Sequence, residues 1–237
     1  MYNEKMINDE ISKVEKRLGS MRAKKALNRL LRDFCFTTVL DVGCGPKKHA
    51  SVFEKFNKMV ITCDMNEKHK PTYLGNILSL DNEIGDNSVD CVWASHVLEH
   101  QPNAAEFLLK LKNKLAPGGV LAITVPPSKH QIVGGHVSIW NMGLLLNNLV
   151  KVGFDCSEAM GLAYDYDISI LVRKQDIDWD EDLIEELGLE YSTVSGGVLT
   201  ADGGDFFKLK KFFPKETPWV PHGVDESFNG NLMRLGW

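Results

Sequence analysis

Between residues 39 and 125 the hydrophobic positions follow two rhythms. Short apolar or β-branched runs at 39–42, 59–64, 88–94 and 120–125 show little polar alternation. They read as strands buried on both faces. Between them, at 48–57 and 102–115, apolar residues recur every three or four positions, the spacing of an amphipathic helix. Strands alternating with helices over short links predict an α/β fold with a mostly parallel, helix-covered sheet. A loop through Gly75-Asn76-Ile77 leads into a short helical or irregular piece, and Ala116-Pro117-Gly118-Gly119 is expected to stop helix 102–115. Helix 141–152, ended by Gly153, is followed by apolar runs at 154–160 and 167–173, expected to form a closing hairpin.

The flanks differ from this middle. Residues 4–33 carry a helical stripe, Ile7, Ile11, Val14, Leu18 and Met21, continued by Leu27, Leu30 and Leu31, with Gly19 placed to split it in two. After Lys174 the chain turns acidic, with a helix expected around 180–187. Residues 195–237 are rich in glycine, proline and aromatics. This tail reads as an appendage: a strap, a lid, or a contact in a homodimer. The division is therefore an N-terminal helical segment 1–36, a central α/β domain 37–174 and a C-terminal appendage 175–237.

Charge and cysteines narrow the function. A net charge of −5 argues against a broad basic surface for nucleic acid, and the basic stretch Lys13–Lys25 reads as a solvated helix face. Five dispersed cysteines without C-x-x-C spacing suggest neither zinc nor a redox pair, and suit a reducing compartment. No run of 18 apolar residues and no signal-type segment is present, so no membrane span and a cytoplasmic location are expected.

The chemistry begins at Val39-Leu40-Asp41-Val42-Gly43-Cys44-Gly45. A buried strand ends in two glycines one residue apart, and a helix follows whose first N–H groups face the same place. The third glycine of a dinucleotide fingerprint is missing. Asp64 ends the next strand about 20 residues on, the place from which a carboxylate can accept from both ribose hydroxyls. Asn76 and Ile77 then offer an amide and an apolar face to an adenine edge and ring.

Three stretches in order, VLDVGCG, DNSVDCVWASHVLEH and LKNKLAPGGVLAITVP, resemble the class I S-adenosylmethionine-dependent methyltransferases, specifically the small-molecule branch often called type 11. The resemblance covers residues 37–174. It implies a doubly wound, seven-stranded, mostly parallel Rossmann-like sheet with a reversed final strand, here 167–173. It also implies S-adenosyl-L-methionine as cofactor and S-adenosyl-L-homocysteine as product. By the same resemblance Gly43, Cys44 and Gly45 line the methionine part and Asp64 binds the ribose. Met65, Asn76 and Ile77 flank the adenine, and Ala94-Ser95-His96 closes the site beside the sulfonium. Asp41 orients the glycine loop or meets the cofactor amine through water. Two positions depart from the family pattern: Lys47 stands where many members have a third glycine, and Asn76 where many have Asp.

His136, in Gly134-Gly135-His136 beyond strand 120–125, is the candidate general base for a hydroxyl acceptor, with a loop-anchoring role as the alternative. His96, Glu99 and His100 form H-x-x-E-H, which holds zinc in some peptidases when it lies on a helix. Here it falls at a strand end, so no metal is expected, and His100 reads as a cap or loop anchor. His130 and Trp140 face substrate or belong to the scaffold. The end of the fourth strand lacks Asn/Asp-Pro-Pro-aromatic, no Pro-Cys occurs and no paired-glutamate loop is evident, which weakens base and arginine methylation. A small hydroxylated metabolite or a sugar or glycan precursor is the expected acceptor. The alternatives are a protein or RNA methyltransferase docking its substrate on the basic N-terminal helix, a non-catalytic S-adenosylmethionine-binding scaffold, and a nicotinamide oxidoreductase.

Overall fold

A computed structural model describes residues 2–129 and 133–175, together with the backbone of 190–191 and 199–200. Two helices, α1 (Glu4–Leu18) and α2 (Lys24–Asp33), precede the sheet. The sheet contains β1 (Thr38–Val42), β2 (Met59–Asp64), β3 (Tyr73–Leu74), β4 (Val89–Ser95), β5 (Leu115–Val125), β6 (Met160–Tyr164) and β7 (Asp167–Arg173). Helices α3 (Lys48–Lys55), α4 (Ala104–Lys114) and α5 (Met142–Lys151) lie between strands in sequence. The strand order is β3-β2-β1-β4-β5-β7-β6. Strands β1 to β5 pair in parallel, and β7 runs antiparallel to both β5 and β6. The reversed strand is thus the run 167–173, and the seven-stranded doubly wound sheet is the one expected.

Side-chain alternation along the strands builds two cores. Leu40 and Val42, Val92 and Ala94, and Leu121, Ile123 and Val125 meet α4 and α5 on one face. Val39, Cys91, Trp93, Val120 and Ala122 meet α1, α2 and α3 on the other. Trp93 is fully buried, with its ring edge-to-face with Phe53 at 5.6 Å. Fully burying one such large apolar side chain contributes about 1.5–3 kcal/mol. The N-terminal helices thus complete one face of the sheet. Asn3 starts α1, its Oδ1 accepting from the N–H groups of Lys5 and Met6 at 2.8 and 3.2 Å. Gly19, at φ +84°, ends α1 where the split is expected.

Three elements differ from the sequence expectation. The closing hairpin uses 160–164 rather than 154–160, because pairing with β7 begins only at Met160↔Leu171. Phe154 and Cys156 instead fill the core beside α5. The segment Ala116–Gly119 is not a free turn but the irregular start of β5, where Leu115 pairs with Val89 before the register shifts. There Gly119 lies so close to the Ala116 and Asp90 carbonyls that an added Cβ would meet each at 2.9 Å. Strand β3, two residues long, lies within a stretch expected to be a loop. The helix expected at 180–187 lies outside the described residues. Among the described residues no helix is long and apolar enough to cross a membrane.

From β1 the chain fills the sheet outward to β3, then returns to add β4 on the other side of β1. The crevice at this reversal, beyond the carboxyl ends of β1 and β4, is where an open α/β sheet binds ligands.

Candidate active site

Gly43 opens the crevice in the left-handed region, φ +67°, and a Cβ there would come within 2.4 Å of Val97 Cγ2. The turn after β4 is thereby packed against the turn after β1, and only glycine fits between them. Gly45 follows at φ +51°, with open space where its side chain would be. Lys47 adopts φ +57°, ψ +33°, so the position that departs from the family pattern keeps a glycine-like backbone. The loop is fixed from below: the N–H groups of Gly43 and Cys44 donate to the Cys63 carbonyl at 2.8 and 3.2 Å. Cys44 is buried and its thiol is pushed up to about 12 by burial, so it acts as packing rather than as a nucleophile.

Asp64 sits at the end of β2. Its Oδ2 accepts from Gly45 N–H at 2.8 Å and its Oδ1 from Asn66 N–H at 2.7 Å, with His69 Nδ1 3.3 Å from Oδ2. Each oxygen accepts one backbone N–H, and a carboxylate oxygen can accept a second donor. Met65 next to it is 73% exposed. Asn76 caps a short 3-10 turn, its Oδ1 accepting from Leu78 N–H at 3.1 Å. Ile77 is buried in the core below, with Leu80. At the floor, Asp41 is almost wholly buried, and burial lifts its carboxyl to about 8, the nearby Asp64 adding to the effect against the Ala50 N–H. Its Oδ2 and the Oγ of Ser95, at the ends of neighbouring strands, are buried without partners. Ala94 is buried at the same level.

His96, immediately after β4, takes the left-handed φ of +57°. Its Nε2 pairs with Asp167 Oδ1 at 2.8 Å and its Nδ1 stands 3.2 Å from Glu99 Oε1. Burial opposes protonation, but the flanking carboxylates of Asp167 and Glu99 outweigh it and raise this imidazole to about 9. The other Asp167 oxygen accepts from Ala23 N–H at 2.8 Å, at the start of α2. Tyr166 stacks on His96 with ring centroids 6.4 Å apart.

His136 lies in the segment between β5 and α5, against the turn Leu98–His100 that follows β4. The Glu99 carbonyl accepts from Val137 and Ser138 N–H at 2.9 and 3.3 Å, docking the loop 133–138. His136 Nε2 is consequently 3.9 Å from Glu99 Oε1. His100 Nδ1 binds the Gly135 carbonyl at 2.8 Å, anchoring the same loop. Trp140 is buried, its indole N–H donating to Ser138 Oγ at 2.9 Å, and belongs to the scaffold. His130 lies outside the described residues. Two acids went unassigned in the sequence. Glu99 could have been picked out as the acid of H-x-x-E-H, whereas Asp167 carried no motif.

The strand order, with its switch point between β1 and β4 and a single reversed strand, defines the class I methyltransferase architecture. Over residues 12–156, more than half of its length, the chain matches the methyltransferase-domain family, and the protein belongs to that family. Among solved structures, an S-adenosylmethionine-dependent methyltransferase from Archaeoglobus fulgidus superposes with a TM-score of 0.52 at 18% identity, covering 67% of this chain and 96% of that one. The 1,6-didemethyltoxoflavin-N1-methyltransferase of Burkholderia thailandensis, solved with bound 1,6-didemethyltoxoflavin and S-adenosylhomocysteine, gives 0.51 at 16% identity, covering 73% and 80%. The CurJ carbon methyltransferase gives 0.51 at 14%, covering 69% and 55%. At these identities the likeness is one of fold. No curated protein sequence matches the chain.

Proposed function

We propose that the protein transfers a methyl group from S-adenosyl-L-methionine to a hydroxyl of a small metabolite or of a sugar or glycan precursor, in a reducing, cytoplasmic setting. The observation that carries this reading is the crevice at the switch point, in a chain of the methyltransferase-domain family. Its residues fit an adenosyl amino acid. Gly43, Cys44 and Gly45 leave room for the methionine portion. Asp64 keeps acceptor capacity for the ribose hydroxyls, and exposed Met65 offers an apolar surface to the base beside Asn76, with Ile77 supporting from beneath. The unpartnered Asp41 and Ser95 oxygens stand ready for a polar group. Ala94 and His96 close the side toward the acceptor.

The cofactor supplies a methyl already activated on a sulfonium, so the protein's work is alignment and activation of the acceptor. The acceptor oxygen attacks the methyl carbon as the carbon–sulfur bond breaks, its electron pair passing to sulfur, and the hydroxyl proton leaves. Activation of that hydroxyl falls to His136 beside Glu99. A small acceptor is favoured over RNA because neighbouring acids and rings at the surface offset part of the charge of the basic N-terminal stretch. Lys24 pairs with Glu15 at 3.2 Å, Lys13 with Glu10, and Lys25 lies over the Tyr164 ring at 5.3 Å.

Calorimetric titration with S-adenosylmethionine, S-adenosylhomocysteine and NAD tests the cofactor. Micromolar binding of the adenosyl compounds and none of NAD is expected. Asp64→Ala should weaken that binding by about 5- to 150-fold, the equivalent of 1–3 kcal/mol. Unchanged affinity in the variant would remove Asp64 from the site.

A further inference from the structure

Glu99, His100 and His136 converge in a way that methyl transfer by alignment alone does not require. Their ligand-type atoms all lie within 4.8 Å of one another, the one such group among the described residues. Glu99 is wholly buried, and neither carboxylate oxygen has a hydrogen-bond partner. A buried carboxylate is costly, and the His96 imidazole meets it at one oxygen only, so its retention calls for a further partner. His96 Nδ1 pairs with Oε1 from the β4 side at 3.2 Å, its Nε2 held by Asp167, and the same oxygen faces two further histidines.

The two remaining histidines are presented as ligands. His100 Nδ1 faces a carbonyl, that of Gly135, at 2.8 Å, so this nitrogen must carry the proton and donate it. The other nitrogen, Nε2, is left with a bare lone pair, 3.9 Å from Glu99 Oε1. A histidine whose far nitrogen donates to a backbone carbonyl is the usual arrangement behind a metal-bound imidazole. His136 Nε2 lies at the same 3.9 Å from Oε1 on another side. Ligands about 2.0–2.1 Å from a shared ion lie roughly 3.3 Å apart, so each Glu99–histidine distance of 3.9 Å needs to close by about 0.6 Å, and the widest pair, within 4.8 Å, by at most about 1.5 Å. Gly135 makes the approach possible: a Cβ on it would press within 3.4 Å of His100 Nδ1, at φ +82°. The set also opens outward, Glu99 being buried while the His100 side chain is 42% exposed.

We propose that Glu99, His100 and His136 bind a divalent first-row transition cation, with further coordination positions open toward the acceptor. One carboxylate and two imidazoles form a donor set suited to zinc, iron or manganese rather than to the all-oxygen preference of calcium or magnesium. H-x-x-E-H at a strand end does not signal such a site by itself; the third ligand arrives on the Gly134-Gly135-His136 loop. The use of the cation rests on the methyl-transfer reading. An acceptor hydroxyl drawn to it loses its proton to water more readily, and His136 then activates the hydroxyl as a ligand rather than by taking the proton itself.

The test uses the full chain stripped with a chelator and titrated calorimetrically with Zn²⁺, Mn²⁺ and Mg²⁺, with Co²⁺ absorption reporting the ligand field. One equivalent of Zn²⁺ or Mn²⁺ with micromolar or better affinity is expected, with Mg²⁺ much weaker. His136→Ala and Glu99→Gln should each weaken Zn²⁺ binding at least tenfold. Circular dichroism and melting temperature check that each variant is folded. Should Glu99→Gln not fold, His136→Ala, altered only in a surface loop, decides the matter alone. Absence of stoichiometric Zn²⁺ and Mn²⁺ binding, or binding unchanged in a folded variant, overturns the site. S-adenosylmethionine is titrated into the same samples. If it binds where the cations do not, the metal site falls and methyl transfer stands; if the cations alone bind, the reverse holds.

Discussion

Asp41, 1% exposed at the end of β1, carries a consequence for stability that its neighbours do not. Its carboxyl sits near 8 in the folded protein, chiefly through burial, against about 3.9 in an unfolded chain. Between those values the unfolded state gives up a proton that the folded state keeps, so folding stability falls as pH rises from about 4 to about 8. His49 works in the opposite sense: burial lowers it to about 4, so stability is lost as pH falls from about 6.5 toward that value. The two slopes oppose each other below the ordinary histidine range, and above it Asp41 is joined by His96, whose imidazole, raised to about 9, also loses its contribution as pH rises. Asp41→Asn keeps an acceptor for Ala50 N–H and removes the titration. It is expected to lessen the decline in urea-measured stability between pH 6.5 and 8, leaving the share that His96 carries, and to exceed the parent by about 1–3 kcal/mol at pH 8. Parallel pH curves for the two proteins would show that Asp41 is not the cause. At this scale the strand-end acid and the glycines were legible, because a motif of adjacent residues carries them. Asp167 was not assigned a role, because its contacts lie 71 and 144 residues away in sequence; Glu99 stood within H-x-x-E-H, but its meeting with His136 spans 37 residues.

At the scale of elements, the loop from β1 into α3 shows how a departure from a family pattern can leave the backbone intact. Lys47 holds φ +57° just before α3, in a conformation that costs an L-residue roughly 1–2 kcal/mol. Lys47→Gly relieves that strain and gives back part of it as unfolded-state entropy. It should therefore raise stability by about 0.5–1 kcal/mol and leave S-adenosylmethionine affinity unchanged. A destabilised variant would mean that the lysine side chain holds the loop through contacts that outweigh the strain. Periodicity made α1, α3, α4, α5 and the long strands legible. It could not register β3, because two residues show no rhythm. It displaced β6 because Phe154 and Cys156 are apolar for filling the core, not for pairing.

Across the whole molecule, Asp167 joins three parts of the chain: Ala23 at the start of α2, His96 after β4, and its own strand β7. Breaking a buried charged pair by removing one partner costs about 3–5 kcal/mol. Asp167→Asn keeps the shape but loses the charge, so a loss of about 2–4 kcal/mol is expected, with faster hydrogen exchange at the Ala23 amide and through the first turn of α2. Unaltered exchange there would show that α2 is held by its apolar face alone. The strand order itself followed from resemblance rather than from hydrophobic rhythm, since a pattern of buried strands does not say which strand lies beside which.

Asp167 also bears on how the protein is made. A ribosome releases α1 and α2 first and β7 near the end of the described domain, yet the carboxylate that receives Ala23 and His96 lies on β7, 144 and 71 residues downstream of them. While the chain is still being synthesised, the first five strands can pair and the N-terminal helices can settle on them, but the edge beside His96 stays incomplete. A nascent protein stalled after β5 would thus be largely folded and unable to assemble that edge, and competence arrives with the last hairpin.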